Sequence, residues 1–327
     1  MGIRRLIVSA VEAIWVTIGL MSAAQAEPLR LRYSVWVGFG PLFVAQEKGF
    51  FAQEGVDVEL IELDDHTAAF AAFYAGQVDA LAAAIQEVVA FSEPDEEPPA
   101  CVLVLDDSRG GDGILATKDI RTIADLKGRS VAFGDRGISQ FYVNVLLKEL
   151  GLSQADIDFV DLPADKAAEA FMLGEVDAAV TWEPYLTQGR NVAHGHLPTD
   201  SSERPGLLGD CLMTKPSIFN DRKDEFQAMA RAWDAAVQYV AAHPDEANAI
   251  MARNMGDWLE DPAVFAEMLR GIALYDGADN RDYFGTPDEP GPIYQTMQHA
   301  IEVWTELGLL KTQLMPADVI AHGILDE

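Results

Sequence analysis

Trp182-Glu183-Pro184-Tyr185 puts aromatic rings beside a carboxylate, residue types that hold an organic cation by stacking and charge. For Trp182 the plainer role is packing at a hinge. Trp36-Val37-Gly38-Phe39-Gly40-Pro41 offers a second aromatic pair among glycines, whose missing Cβ lets backbone approach a ligand closely. Trp36 and Phe39 can form an apolar or cation-attracting wall, or one of them can be simple core. Asp64-Asp65-His66-Thr67 supplies carboxylates, which either bind or cap a helix through Asp65 or Thr67. Gln86-Glu87 brings an amide that both donates and accepts. In Gly137-Ile138-Ser139-Gln140, free N–H groups at a helix start and the Ser139 hydroxyl can hold an anionic or carbonyl oxygen. With Asp112 from a Gly-rich crossing, the candidate ligand-binding residues are Trp36, Phe39, Asp64, Gln86, Asp112, Ser139, Trp182 and Glu183.

The balance of sign in these loops points to a ligand class. They hold Asp64, Asp65, Glu87, Asp107, Asp112 and Glu183 against Arg109 and Arg136. Two such carboxylates facing a cleft would disfavour a bare anion and favour a cation. The expected ligand is therefore a small organic cation or nitrogen-rich neutral molecule. The alternative is a sulfonate such as taurine, its ammonium on an acid and its sulfonate on Ser139 and backbone amides. No serine nucleophile elbow, H-E-x-x-H or redox cysteine pair occurs, so a binding protein rather than an enzyme is expected. His194-Gly195-His196 lacks nearby partners for a metal. Neither metal nor cofactor is expected.

These residues need a scaffold, and the chain repeats one. Strands at 31–37, 56–63 and 78–84 alternate with helices at 41–48 and 67–75, an order that implies βαβ units and a parallel sheet. The order returns about 98 residues later: strands at 129–134, 157–162 and 176–181, helices at 139–150 and 166–173. Ala72-Phe73-Tyr74-Ala75-Gly76-Gln77-Val78-Asp79-Ala80 matches Ala170-Phe171-Met172-Leu173-Gly174-Glu175-Val176-Asp177-Ala178 at six of nine positions. Two like-built α/β lobes follow, facing each other across a cleft at the carboxyl ends of their strands. A strand at 101–105 runs into the crossing at 106–113; the segment 200–206 leads back to a strand at 210–214. The rest reads as helices at 223–242, 244–255, 262–275 and 292–309.

Composition sets the outer limits. A net charge of −30 over 327 residues, without a basic cluster, argues against nucleic acid and against an anionic membrane surface. Arg4, Arg5, an apolar run and Ser22-Ala23-Ala24-Gln25-Ala26 form the pattern of a signal peptide cleaved after Ala26, which places the mature chain in a periplasm. There Cys101 and Cys211 are either a disulfide or two buried thiols. The expected division is 1–26 signal peptide, 27–107 the first part of lobe 1, 108–205 lobe 2, and 206–327 the rest of lobe 1.

Several motifs carry a family resemblance: Gly40-Pro41-Leu42-Phe43-Val44-Ala45-Gln46-Glu47-Lys48-Gly49-Phe50-Phe51, Glu54-Gly55-Val56-Asp57-Val58, Ile123-Ala124-Asp125-Leu126-Lys127-Gly128 and Val180-Thr181-Trp182-Glu183-Pro184-Tyr185. Trp304-Thr305-Glu306-Leu307-Gly308-Leu309-Leu310 extends them toward the end. The chain resembles substrate-binding proteins of the nitrate/sulfonate/taurine ABC importers, a group that includes pyrimidine-precursor binders. That resemblance implies a two-lobed periplasmic binding protein fold, type II-like, with two hinge strands and a helical C-terminal region. It further implies a monomer that binds a small molecule and partners a membrane permease and its ATPase. A few enzymes and receptor-linked sensors share the fold.

Overall fold

The computed structural model describes residues 27–256 and 261–325; the expected signal peptide lies outside them. Strands β1 (Leu29–Tyr33), β2 (Val58–Glu62), β3 (Ala80–Ala84), β4 (Ala100–Ser108) and β5 (Asp112–Thr117) come first. β6 (Ser130–Phe133), β7 (Asp158–Asp161), β8 (Ala178–Trp182), β9 (Gly195–Asp200), β10 (Gly209–Thr214) and β11 (Ile272–Leu274) follow. They form two mixed sheets, six-stranded in the order β11-β4-β10-β3-β1-β2 and five-stranded in the order β7-β6-β8-β5-β9. β1 pairs β2 and β3 in parallel, and β6 pairs β7 and β8 in parallel; antiparallel strands complete both sheets. The result is a two-lobed α/β molecule.

The repeated segment does the same job in each lobe. Asp79 N donates to Arg30 O, and Arg30 N donates back to Asp79 Oδ2, both at 2.9 Å. Asp177 and Ser130 repeat the exchange at 3.1 and 3.0 Å. An aspartate just before the strand thus fixes the register of the next one. A second lock recurs at the far end. Val35 N donates to Asp64 at 2.8 Å, and Asp135 N to Asp161 at 3.0 Å.

Two chain crossings join the lobes. Residues 109–111 lead from β4 to β5, and 201–208 lead from β9 to β10. Ser108 and Ser201 tie them together, their hydroxyls 2.8 Å apart, and Ser201 also accepts from Gly110 N at 2.7 Å.

The helix expected over 262–275 ends instead at Leu269. Gly271 O accepts from both Arg109 N (2.8 Å) and Gly111 N (3.1 Å), so this backbone is pinned to the first crossing. A Cβ on Gly271 would meet the Gly110 carbonyl carbon at 3.0 Å, and β11 then pairs with β4. The demand for close backbone contact overrides the helical pattern.

Helix Lys223–Ala242 buries Met229 and Trp233 beside helix Gly40–Glu47, with Met251 of helix Pro244–Asn254 in the same core. Each such side chain contributes on the order of 1.5–3 kcal/mol by leaving water. Helix Ile293–Glu306 reaches the other lobe, where its Trp304 ring lies 5.9 Å from Phe141. No helix among the described residues is long and apolar enough to cross a membrane. Cys101 and Cys211 are free, buried thiols on the adjacent strands β4 and β10.

Candidate functional site

Between the lobes, at the carboxyl ends of the parallel strands, lies a cleft of about 260 Å³. One wall is the loop after β2, with Asp64, Asp65, His66 and Thr67. Asp65 is the N-cap of helix His66–Tyr74, accepting from Ala68 N at 2.7 Å. The opposite wall comes from the second lobe: Asp135 and Ser139 near one helix start, Asp161 and Asp165 near another, Trp182 at the end of β8 and Tyr185 just past it. Among the described residues no Lys or Arg lines this cleft.

Beneath it is an inner chamber of about 20 Å³. Asp112 and Asp210 face it from the two lobes, with Trp36, Phe39 and Trp182 as apolar walls. Trp36 Nε1 donates to Asp106 Oδ2 at 3.1 Å. Gly38 makes that contact possible, because a Cβ there would sit 2.3 Å from the same oxygen. Burial pushes the Asp112 carboxyl up to about 7. Asp106 and Asp210 lie opposite each other on β4 and β10; burial holds both well above the usual carboxylate range, helped by the charges of Asp112 and Asp107 at Asp106 and of Asp106 and Asp112 at Asp210.

The lobes are latched across this site. Trp182 Nε1 donates to Val35 O of the first lobe at 3.1 Å, and beside it Glu183 N ties the end of β8 to the first crossing by donating to Gly111 O at 2.7 Å. Glu87, fully buried, accepts from Ile138 N of the second lobe at 3.3 Å while its Oε1 lies 2.6 Å from His66 Nδ1. Arg32 runs beneath, wholly buried, donating to Leu63 O at 2.7 Å and Ala82 O at 3.2 Å. Burial lowers its guanidinium to about 10, with Glu87 and Asp64 opposing. It remains a cation at neutral pH.

Six of the eight sequence candidates meet at the two compartments: Asp64, Ser139 and Trp182 in the outer cleft, and Trp36, Phe39, Asp112 and again Trp182 in the chamber. Ser139 Oγ has no partner among the described residues. The other two lie elsewhere. Gln86 Nε2 donates to Leu207 O at 2.6 Å and its backbone carbonyl accepts from Trp304 Nε1 at 2.9 Å, so it straps the first lobe. Glu183 accepts from both Thr187 N and Thr187 Oγ1, at 2.9 and 2.8 Å, which turns it into the helix Tyr185–Arg190. Arg136 stacks over Phe91 and Arg109 pairs with Asp107; neither lines the cleft. His194 and His196 contact different backbone carbonyls, of Phe171 and Ile120. Residue-by-residue reading missed Asp210 and Asp106, because only the pairing of β4 with β10 brings them together.

Comparison with known proteins places this architecture. The chain is 28% identical over 224 residues to a Bacillus subtilis (strain 168) protein named as an aliphatic sulfonates-binding protein, covering 66% of this chain and 67% of the relative. It is 25% identical over 218 residues to a Haemophilus influenzae protein named for thiamine biosynthesis, covering 63% and 66%. The matches thus span about two thirds of each relative. Among solved structures, the alkanesulfonate-binding protein SsuA from Xanthomonas axonopodis pv. citri, bound to MOPS, superposes with a TM-score of 0.73 at 19% identity, covering 91% of this chain and all of that one. A family model described as NMT1/THI5 like matches residues 36–247, more than half of the sequence, and the chain belongs to that family.

Proposed function

We propose that this is an extracytoplasmic solute-binding protein that closes two lobes on a small, nitrogen-containing cationic solute and delivers it to an ABC importer. The observation that carries the ligand class is the lining of the site: carboxylates on both walls, tryptophan at the centre and no Lys or Arg among the described residues. A cation in that cleft gains charge and π contacts together. Fold and relatives support the transport role, and the signal-like N-terminus supports a periplasmic location. Residues 27–107 and 206–327 then make one lobe and 108–205 the other, moving about the two crossings.

Closure needs the solute to bind the closed form better than the open one; equal affinity would shift nothing. Trp182 suits that requirement. It lines both compartments and hydrogen-bonds across to Val35, so a ligand stacked on it favours the latched form. The closed surface would dock on the permease, whose ATPase drives release. Among the described residues no hydroxyl lining the site is hydrogen-bonded to a base, so turnover of the solute is not part of the proposal.

A thermal-shift screen on the chain from Glu27, with amines, amidines and aminopyrimidines beside taurine, alkanesulfonates and nitrate, tests it. Ligand at a thousand times its Kd stabilises by about 4 kcal/mol, several degrees in melting temperature. A shift with cations supports the reading. A shift with sulfonates alone overturns the ligand class and favours the second reading, for which the unpartnered Ser139 hydroxyl in the first turn of helix Ile138–Glu149 would be the anion contact. Consumption of a stabilising compound would make the protein an enzyme.

A further inference from the structure

Building on the cationic-solute reading, we propose that the inner chamber is a subsite for one primary ammonium group, held between Asp112 and Asp210, and that its arrival expels the proton shared by Asp106 and Asp210. The size of the chamber selects the group. At about 20 Å³ it holds one water-sized moiety, too little for a guanidinium or quaternary ammonium, while the larger cleft above takes the rest of the solute. The acceptors select it too. Asp112 and Asp210 are 5% and 7% exposed, and neither accepts from an N–H of the described residues. Ser34, 4% exposed, also lines the chamber, and its hydroxyl has no hydrogen-bond partner among the described residues. Three acceptors without N–H donors meet the three donors of an ammonium.

The proton follows from the neighbours. Asp106 and Asp210 are register partners on β4 and β10 and both are buried, so two negative charges there repel and the pair keeps one proton. Glu87, Asp107 and Glu183 add negative charge around the three aspartates, against Arg32 and, when protonated, His66. In such a setting the site keeps a proton when empty, and an ammonium replaces it. One O–H bond breaks, the proton leaves to solvent, and the carboxylates pair with the ammonium. Affinity therefore rises as pH goes from 6 to 8, up to about tenfold per unit, since each unit shifts the protonation equilibrium tenfold.

The test titrates methylammonium chloride into the carbon-13-labelled chain from Glu27, with sodium chloride and tetramethylammonium chloride as controls at matched ionic strength. Aspartate carboxyl signals, assigned with Asp112→Asn and Asp210→Asn, are read alongside proton release. The expected result is movement of both signals by methylammonium only, with about one proton released per bound cation at pH 7. Immobile signals, equal movement by sodium, or binding without proton release overturns the proposal. An organic cation that raises the melting temperature while both carboxyl signals stay fixed sinks the subsite and leaves the solute-binding reading standing. Methylammonium moving both signals, with no larger organic cation stabilising the protein, does the reverse.

Discussion

The two lobes share a three-strand unit and two aspartate locks, yet differ at one buried position. β1 carries Arg32 where β6, in the same register, carries Ala132; Arg32 pairs with Leu81 and Ala132 with Ala179. Both are fully buried. The acids nearby explain the difference. Past β6 the second lobe presents Asp135 and Asp161 to solvent, where water offsets the charge; near Arg32 the first lobe buries Glu87 and Asp210, 0% and 7% exposed. Carboxylates buried around β1 call for a cation within reach. The second lobe buries its own acids, Asp112 and Glu183, on β5 and just past β8 rather than on β6, where Ala132 closes the core with a methyl group.

The sharpest way to break this comparison is Arg32→Met. Removing the cation leaves Glu87 and Asp210 uncompensated in the interior, an expected cost of about 3–5 kcal/mol in urea denaturation. Adding Glu87→Gln should recover part of that loss, because the acid that needed the cation is gone. A cost below about 1 kcal/mol for Arg32→Met would show that the acids are already neutral and that Arg32 is packing alone.

Much of the shared lobe design was legible in the sequence, and the limits have physical causes. Parallel strands announce themselves through short apolar runs between helices, and the repeat with its Asp79 and Asp177 exposed the common lobe design. The Trp182 segment was found because Trp and Pro after a strand are visible as a pattern. Glu183 looked equally promising, but no local signal distinguishes a carboxylate aimed at a cleft from one turned back onto Thr187. Asp210 was missed for the opposite reason: alone it is an ordinary residue at a strand start. It acquires meaning only opposite Asp106, more than a hundred positions earlier. β11 was hidden by an apolar stretch that suits a helix until Gly271 must touch Gly110.

Smaller effects should separate the two register locks. Asp79 holds Arg30 N, the Arg30 guanidinium at 2.7 and 3.1 Å, and Arg222 at 3.1 Å. Asp177 holds Ser130 N and its hydroxyl, with Arg129 at 3.5 Å. Asp79→Ala is expected to cost about 2–3 kcal/mol and Asp177→Ala about 1 kcal/mol, since charge-assisted bonds to guanidinium are the stronger kind. The pH dependence has a definite sign. Burial raises the Asp79 carboxyl, but the hydrogen bonds and charge of Arg30 and the charge of Arg222 outweigh it, leaving the group below its usual range. Its contribution is then complete above about pH 4, the ordinary carboxylate value, and is lost as pH falls through the lower folded value. Acid titration of stability should therefore be shallower below pH 4 in Asp79→Ala than in the wild type; matching curves would remove Asp79 from the account.

The smallest expected effect bears most directly on the cleft. Glu183→Gln keeps an oxygen for Thr187 N, offers its NH2 to the Thr187 hydroxyl, which then accepts instead of donating, and loses a charge that the second lobe buries, at 4% exposure. Burial holds this carboxyl above its usual range, with Thr187 opposing, so substitution removes a group that the fold already disfavours in its charged form. Stability should change by less than about 1 kcal/mol and affinity for any stabilising cation by less than about twofold. Asp112→Asn is the matched comparison, because that residue does face the chamber. If Glu183→Gln instead weakens cation binding tenfold while Asp112→Asn leaves it unchanged, the ligand reaches the hinge from the Trp182 side. Asp112, at the start of β5, would then serve the hinge rather than the solute.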